Sequence, residues 1–170
     1  PVSPPACFPG GMGFGGSITM ESVRQGGFDA RIVRIFNTYG PRTDPDDGRV
    51  IPSFISLAEE RQPVVVFGDG SQTRSLCYVS DLVRGLRLAM DTPGTTGEVI
   101  NLGNPDERTV MEIATLITRL CRSDAGVRYE PARPAGPAPR RPAISNANRL
   151  PGWQPEGGPD GGRPQAGDVF

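Results

Sequence analysis

Lysine and histidine are both missing from this chain of 170 residues, so its eighteen positive charges are all arginine. No ammonium and no imidazole is available to any chemistry the chain takes part in. Cysteine is scarce as well. Three thiols (Cys7, Cys77 and Cys121) form an odd set without metal-ligand spacing, which reads as free thiols in a reducing compartment. The expected location is cytoplasmic, with the Golgi left open for a chain that looks like part of a longer one. No apolar run approaches membrane-spanning length. No charged start leads into an apolar stretch, so no signal peptide is expected. The first residue is proline rather than methionine, as expected of a fragment. Arginines alternate with carboxylates to a net charge of −1. Without a basic block to neutralise a run of phosphates, nucleic acid is not an expected partner.

What the chain does have is unevenly placed. Its 23 glycines and 19 prolines concentrate in the first 27 residues and the last 40, while 29–122 reads as ordinary folded protein. Glycines and Pro9 over 7–16 predict a loop, because each glycine weakens a helix by about 1 kcal/mol. A short helix is expected over 17–25, stopped by Gly26-Gly27. Branched residues predict a strand over 30–36, followed by a polar turn region to Gly48. A helix follows with Pro52 in its first turn and Pro63 beyond its end. Val64-Val-Val-Phe67 is a buried strand, and Gly68 to Ser71 a tight turn. Residues 73–79 are expected to return as the second strand of a hairpin. Ser80 is the expected N-cap of the next helix, with Asp81 favoured in its first turn by the helix dipole. Residues 99–102 predict another strand. Thr109-Val-Met-Glu112 has the form of a capping box at the head of an amphipathic helix. Five prolines over 131–142 predict an extended segment. A short helix is expected near 144–150, and the Gly/Pro-rich tail after Pro155 is expected to be frayed.

Several residues could carry chemistry. Asn37 and Thr38 follow the first strand, where an open α/β sheet presents ligands; Asn37 and Gly40 could equally do no more than shape a turn. Phe67 beside a Gly-rich turn offers a flat face for a base, or is simply a core ring. The planar guanidinium of Arg74 suits a diphosphate, or a surface ion pair. Arg140-Arg141 could add a second phosphate clamp, or keep a proline-rich linker soluble.

The order of these blocks is more specific than any one of them. Arg34-Ile-Phe-Asn-Thr-Tyr-Gly-Pro-Arg42, Asp47-Gly-Arg-Val50, Val66-Phe-Gly-Asp-Gly-Ser-Gln-Thr-Arg-Ser75 and Tyr78-Val-Ser-Asp-Leu-Val83 succeed one another. Asn101-Leu-Gly-Asn-Pro105, Arg140-Arg-Pro-Ala-Ile-Ser145 and Leu150-Pro-Gly-Trp-Gln-Pro155 follow. Together they resemble the C-terminal half of the extended short-chain dehydrogenases, the NAD-dependent epimerase/dehydratase family, over about 17–153. Within it the Asp-Asp-Gly-Arg-Val block leans toward the UDP-glucuronate decarboxylases over 4-epimerases and 4,6-dehydratases.

The resemblance implies an α/β fold: the C-terminal part of a doubly wound Rossmann-type domain plus a small mixed substrate-binding domain. It implies three regions: 1–28 as a loop-rich remnant of the catalytic-helix region, 29–130 as sheet strand and substrate domain, and 131–170 as a Pro/Gly-rich segment. It implies NAD as cofactor, a UDP-sugar as ligand and a homodimer for full-length members. Carried over by position, Phe36, Asn37 and Thr38 would flank the nicotinamide, with Asp44 and Arg49 near cofactor or substrate. Phe67 would stack on uracil and Gln72 lie beside it, while Arg74 and Arg141 would hold the diphosphate. Asp44 departs from the family residue.

Two departures are larger. The family's Gly-x-x-Gly-x-x-Gly turn is absent, and the glycines of 10–16 neither follow a strand nor open a βαβ unit. The family's catalytic Tyr-x-x-x-Lys falls on Phe8 and Met12. Phe8 has no hydroxyl to exchange a proton, and Met12 has no charge to lower a tyrosine pKa. Losing a positioned acid–base group removes roughly 10²–10⁴ in rate. Three readings follow: part of a decarboxylase-like enzyme, inactive alone; a non-catalytic module that binds a nucleotide sugar; or an interaction subunit whose 30–36 strand has an unpaired edge.

Overall fold

A computed structural model describes residues 4–44, 48–132 and 142–157, with residues 4–10 and 12 as backbone only. Helix α1 (Pro4–Arg24) leads into strands β1 (Ile32–Ile35) and β2 (Thr38–Tyr39), helix α2 (Val50–Glu59) and strand β3 (Val64–Phe67). Strands β4 (Thr73–Ser75) and β5 (Cys77–Tyr78), helix α3 (Val79–Asp91) and strands β6 (Val99–Leu102) and β7 (Glu107–Thr109) follow. Helix α4 (Val110–Leu120), strand β8 (Val127–Glu130) and a 3-10 turn (Ala147–Arg149) complete the described elements.

The strands form four pairs. β1 runs parallel to β6, β2 to β5 and β3 to β8, while β4 and β7 are antiparallel. Apolar residues divide into two cores. The first packs α2 and α4 on β3, joining Phe54, Ile55 and Ala58 to Val64, Val66, Ile113 and Ile117. The second packs α3 and the C-terminal segment on β1 and β6, joining Leu82 and Ala89 to Ile100, Leu102, Leu150 and Trp153. Gly85 makes the second core possible: a Cβ there would stand 2.6 Å from Trp153 Nε1 and 2.9 Å from Leu102.

Four local expectations need correcting. Residues 7–16 are not a loop but part of α1. The second half of that helix is pinned, with Gly16 near Ile32, and Met20 and Val23 near Gly97. Gly26 and Gly27 N–H close its end on the Val23 and Ser22 carbonyls, as a Schellman motif does. Nucleation is the costly step of helix formation, so the pinned end supplies a nucleus from which the glycine-rich turns continue, each glycine still costing about 1 kcal/mol. Second, β3 and β4 are not a hairpin. An all-apolar strand needs cover on both sides, and β3 obtains a parallel neighbour in β8 while β4 turns away to β7. Third, Ser80 is not the N-cap of α3: the helix starts at Val79, with Tyr78 as its uncapped boundary. Asp81 is 4% exposed and bonds beyond its own helix. Its carboxylate accepts from Arg84 Nη2 at 3.0 Å and from Glu156 and Gly157 N–H at 2.9 and 2.7 Å. Fourth, those bonds hold the tail to Gly157, so fraying does not begin after Pro155. The extended segment expected over 131–142 lies largely outside the described residues, as do residues 158–170.

The remaining elements follow the patterning. Pro52 occupies the first turn of α2. Thr109 Oγ1 accepts from Glu112 N–H at 3.1 Å while Glu112 Oε2 accepts from Thr109 N–H at 2.7 Å, completing the capping box. The 3-10 turn falls within 144–150.

Candidate functional site

The parallel pair β1–β6 ends where the site begins, since open α/β sheets bind ligands beyond the carboxyl ends of their strands. Phe36 N–H donates to the Leu102 carbonyl at 3.0 Å, extending the ladder by one residue. The Phe36 side chain lies over Gly103, where a Cβ would come within 2.8 Å of it. The Asn37 carbonyl accepts from Cys77 N–H at 2.9 Å, leaving its side chain exposed. Thr38 Oγ1 donates back to the Phe36 carbonyl at 2.9 Å. This strand-end loop is held through its backbone, which frees the Asn37 amide for a ligand.

Beyond β2 the chain wraps a cleft of about 310 Å³ lined by Thr38, Gly40, Arg42, Thr43, Asp44, Arg49 and Val79. Gly40 presses so tightly on α3 that a Cβ would stand 2.4 Å from Val79 Cγ1. Thr43 Oγ1 donates to the Gly40 carbonyl at 2.7 Å. Arg42 holds a φ of 67°, a sparsely populated region for a residue with a side chain. Among the described residues the cleft is lined by two arginines, Arg42 and Arg49, and one aspartate, Asp44, a balance suited to an anionic ligand.

A second group of the expected residues lies on the β3–β4 turn. Phe67 is half-buried at the end of β3. Gln72 Nε2 donates to its carbonyl at 3.0 Å, so this amide shapes the turn. Asp69 Oδ1 accepts from Ser71 N–H at 2.9 Å and Ser71 Oγ at 2.7 Å, and these bonds hold the Asp69 carboxyl below its usual range. Arg74 Nη1 donates to the Thr73 carbonyl at 2.8 Å. Arg74 stands opposite Arg108 in the β4–β7 register.

Thr38, Asp44 and Arg49 therefore share one cleft, with Phe36 and Asn37 leading into it. Phe67, Gln72 and Arg74 share one turn. Arg140, Arg141 and the Asp46-Asp47 pair lie outside the described residues. Phe8 and Met12 are on α1 as backbone, four residues apart and so on one face. Arg42, Arg108 and Asp81 were missed as functional candidates. Arg42 closes the Asn-Thr-Tyr-Gly-Pro-Arg block and could have been chosen by charge. The parts of Arg108 and Asp81 depend on residues distant in sequence.

The described groups offer no activated nucleophile. Burial, then the Asp81 charge, push the Cys77 thiol up to about 12. Cys121 is also raised by burial. No cluster of three or more histidine, cysteine or carboxylate side chains that could hold a metal occurs among the described residues. No helix of the described residues is long and apolar enough to cross a membrane. The strand-end loop offers the exposed Asn37 side chain, and the cleft beside it, with half-buried Thr38 and Thr43, has room for one flat ring such as a nicotinamide. A whole dinucleotide is far larger than the cleft, so this chain fits only one end of such a cofactor.

Three comparisons place the chain among known proteins. The model of the NAD dependent epimerase/dehydratase family matches residues 14–103. UDP-glucuronic acid decarboxylase 2 of Arabidopsis thaliana is 40% identical over 156 residues, covering 92% of this chain and 35% of that protein. An epimerase from Methanothermobacter thermautotrophicus has a similar fold, with a TM-score of 0.76 and 36% identity over 83% of this chain and 43% of its own. The Bacillus cereus UDP-glucuronic acid 4-epimerase, solved with UDP-glucuronic acid and NAD, gives a TM-score of 0.70 and 30% identity. That match covers 78% of this chain and 42% of the epimerase. The chain thus spans about a third of the decarboxylase and under half of either solved structure.

Proposed function

Because the chain belongs to the NAD dependent epimerase/dehydratase family, we propose that it forms the nucleotide-sugar side of an enzyme that decarboxylates UDP-glucuronate to UDP-xylose. The observation that carries this reading is 40% identity to a UDP-glucuronic acid decarboxylase across 92% of the chain. The Asp46-Asp47-Gly48-Arg49-Val50 block supports decarboxylation over 4-epimerisation and 4,6-dehydration.

In this reading Phe67 stacks on uracil, Gln72 sets the turn beneath it, and Arg74 and Arg141 hold the diphosphate. A guanidinium on a phosphate oxygen is a charge-assisted bond worth about 1.5–3 kcal/mol. Phe36, Asn37 and Thr38 hold the nicotinamide end of NAD, and Asp44 and Arg49 line the space between cofactor and sugar. When bound, NAD would supply the acceptor for the hydride that leaves C4 of the sugar as the C4 hydroxyl loses its proton. The chain's own groups then bind and orient the sugar: Arg49 and Arg42 draw the anionic substrate into the cleft, and Asn37 offers an amide to a ring substituent.

Neither position that the family uses to exchange the C4 hydroxyl proton carries a group able to do so. Phe8 and Met12 stand where the family places tyrosine and lysine, and the chain contains no lysine at all. Binding without turnover is therefore the expected behaviour of this chain alone. A non-catalytic binding module is the second reading, and the same absence favours it.

Amide-shift NMR of the 170-residue chain against UDP and UDP-glucuronate tests the proposal. Shifts are expected at Phe67, Gly68 and Arg74, and for UDP-glucuronate also at Thr38 and Arg49. No shift up to millimolar ligand would overturn it.

A further inference from the structure

We infer that Arg108 is a further cationic arm of the diphosphate site, beside Arg74, held in reserve by Asp106. This rests on the nucleotide-sugar reading above and adds a residue and a built-in competitor to it. The antiparallel register sets Arg74 opposite Arg108, Thr73 opposite Thr109 and Ser75 opposite Glu107. Side chains alternate along a strand, so both arginines project from one face of the ribbon. On the other face Thr73 Oγ1 donates to Glu107 Oε1 at 3.0 Å.

Like charges directly opposite each other across an antiparallel pair are destabilising. Asp106 offsets one of them. Its Oδ2 lies 3.3 Å from Arg108 Nε and 3.4 Å from Arg108 Nη2. Arg74 donates to the Thr73 carbonyl and makes no ion pair with a described residue. Among the described residues this ribbon face therefore carries two guanidiniums, Arg74 and Arg108, and the Asp106 carboxylate paired with Arg108.

The ribbon is firmly placed. Val110 and Met111 N–H donate to the Gln72 and Gly70 carbonyls at 2.9 and 3.1 Å, stitching the Gly-rich turn to the head of α4. Asp106 N–H donates to Asn104 Oδ1 at 2.9 Å, which fixes the loop that presents its carboxylate. With its side chain 30% exposed against 56% for Asp106, Arg108 is reachable by a ligand. A diphosphate offers anionic oxygens that accept from a guanidinium fork as the Asp106 carboxylate does, and it carries more charge. It bridges the two guanidiniums by taking the place of that carboxylate on Arg108.

Calorimetric titration of the whole chain with UDP and with inorganic pyrophosphate tests this, using Arg108→Gln, Asp106→Asn and, as a charge-matched control on the far end of α4, Arg119→Gln. Arg108→Gln should weaken both ligands about 5- to 10-fold, the discounted effect of a half-exposed charge-assisted contact. Asp106→Asn should tighten both about 2- to 3-fold, the opposite sign to any loss of structure. The double variant should bind like Arg108→Gln alone, and Arg119→Gln like the parent chain. Parent-like affinity of Arg108→Gln for both ligands would overturn the inference while leaving the UDP reading standing. Arg108-dependent pyrophosphate binding with no gain from uridine would keep the arginine pair and remove the uracil site. Binding of neither ligand would remove both.

Discussion

The two cores differ in how they are closed. The α2–α4–β3–β8 core is bounded by its own helices, and Val64, Val66, Ile113 and Ala114 are wholly shielded. The β1–β6–α3 core is closed on one side by a C-terminal strap and stays open at a sheet edge. Trp153 donates its indole N–H to the Asp81 carbonyl at 2.9 Å, and Arg84 donates to the Gly152 and Gln154 carbonyls. No described strand pairs with the second edge of β1, and Ile35 is 54% exposed there. The first core is covered by its own helices, while the second keeps an edge of β1 that no described strand covers.

The largest expected break in this comparison is Trp153→Ala. Removing a fully buried aromatic anchor costs about 3–5 kcal/mol. Hydrogen exchange should show protection lost across β1, β6 and α3 while α4 stays protected. Ile113→Ala costs about 2–5 kcal/mol, and it should lower protection in α2, α4 and β3 first. Equal loss across both cores in both variants would show one cooperative unit instead of two.

Asp81→Asn comes next. It removes the charge that holds two N–H groups and Arg84, at a cost of about 1.5–3 kcal/mol. Denaturant melts should report that loss, with the strap released before the first core unfolds.

A smaller effect belongs to the first core alone. Bonds from Thr109 backbone and hydroxyl lower the Glu112 carboxyl from 4.5. A depressed folded pKa contributes stability above the unfolded value and loses it as pH falls through the folded one. Circular dichroism should therefore show α4 fraying in acid below about pH 4. Thr109→Ala should cost about 1 kcal/mol at neutral pH and flatten that acid dependence.

The smallest test perturbs nothing. Cys77 is fully buried with its thiol pushed up to about 12, whereas Cys121 is partly exposed and less raised. Alkylation of the native chain at pH 8 should label Cys121 well before Cys77, because the thiolate is the reacting form. Early labelling of Cys77 would mean that the second core opens readily.

Local chemistry was legible where the signal is contained in a few adjacent residues. The Thr109–Glu112 box, the Val64–Phe67 run and the Pro52 helix start each carry their own geometry. Partner choice was not. The strand after Gly70 reads as a hairpin return, yet its mate lies 34 residues downstream, as the Thr73–Glu107 bond shows. β7 and β8 are short and mostly polar, and pairing with distant strands makes them strands. Asp81 reads as a dipole partner because its ligands at 156 and 157 are invisible to a local pattern. The cleft residues Thr38, Asp44 and Arg49 were found through the order of the family blocks, since no single block distinguishes a binding loop from a turn.

The most direct test follows carbon dioxide released from carboxyl-labelled UDP-glucuronate by the purified chain with added NAD, with amide shifts recorded on the same sample. Shifts at Phe67 and Arg74 with no release above the buffer blank are the predicted result. Release that scales with the amount of chain would contradict the account, because a group able to move the C4 proton would then have to exist among residues where none was assigned.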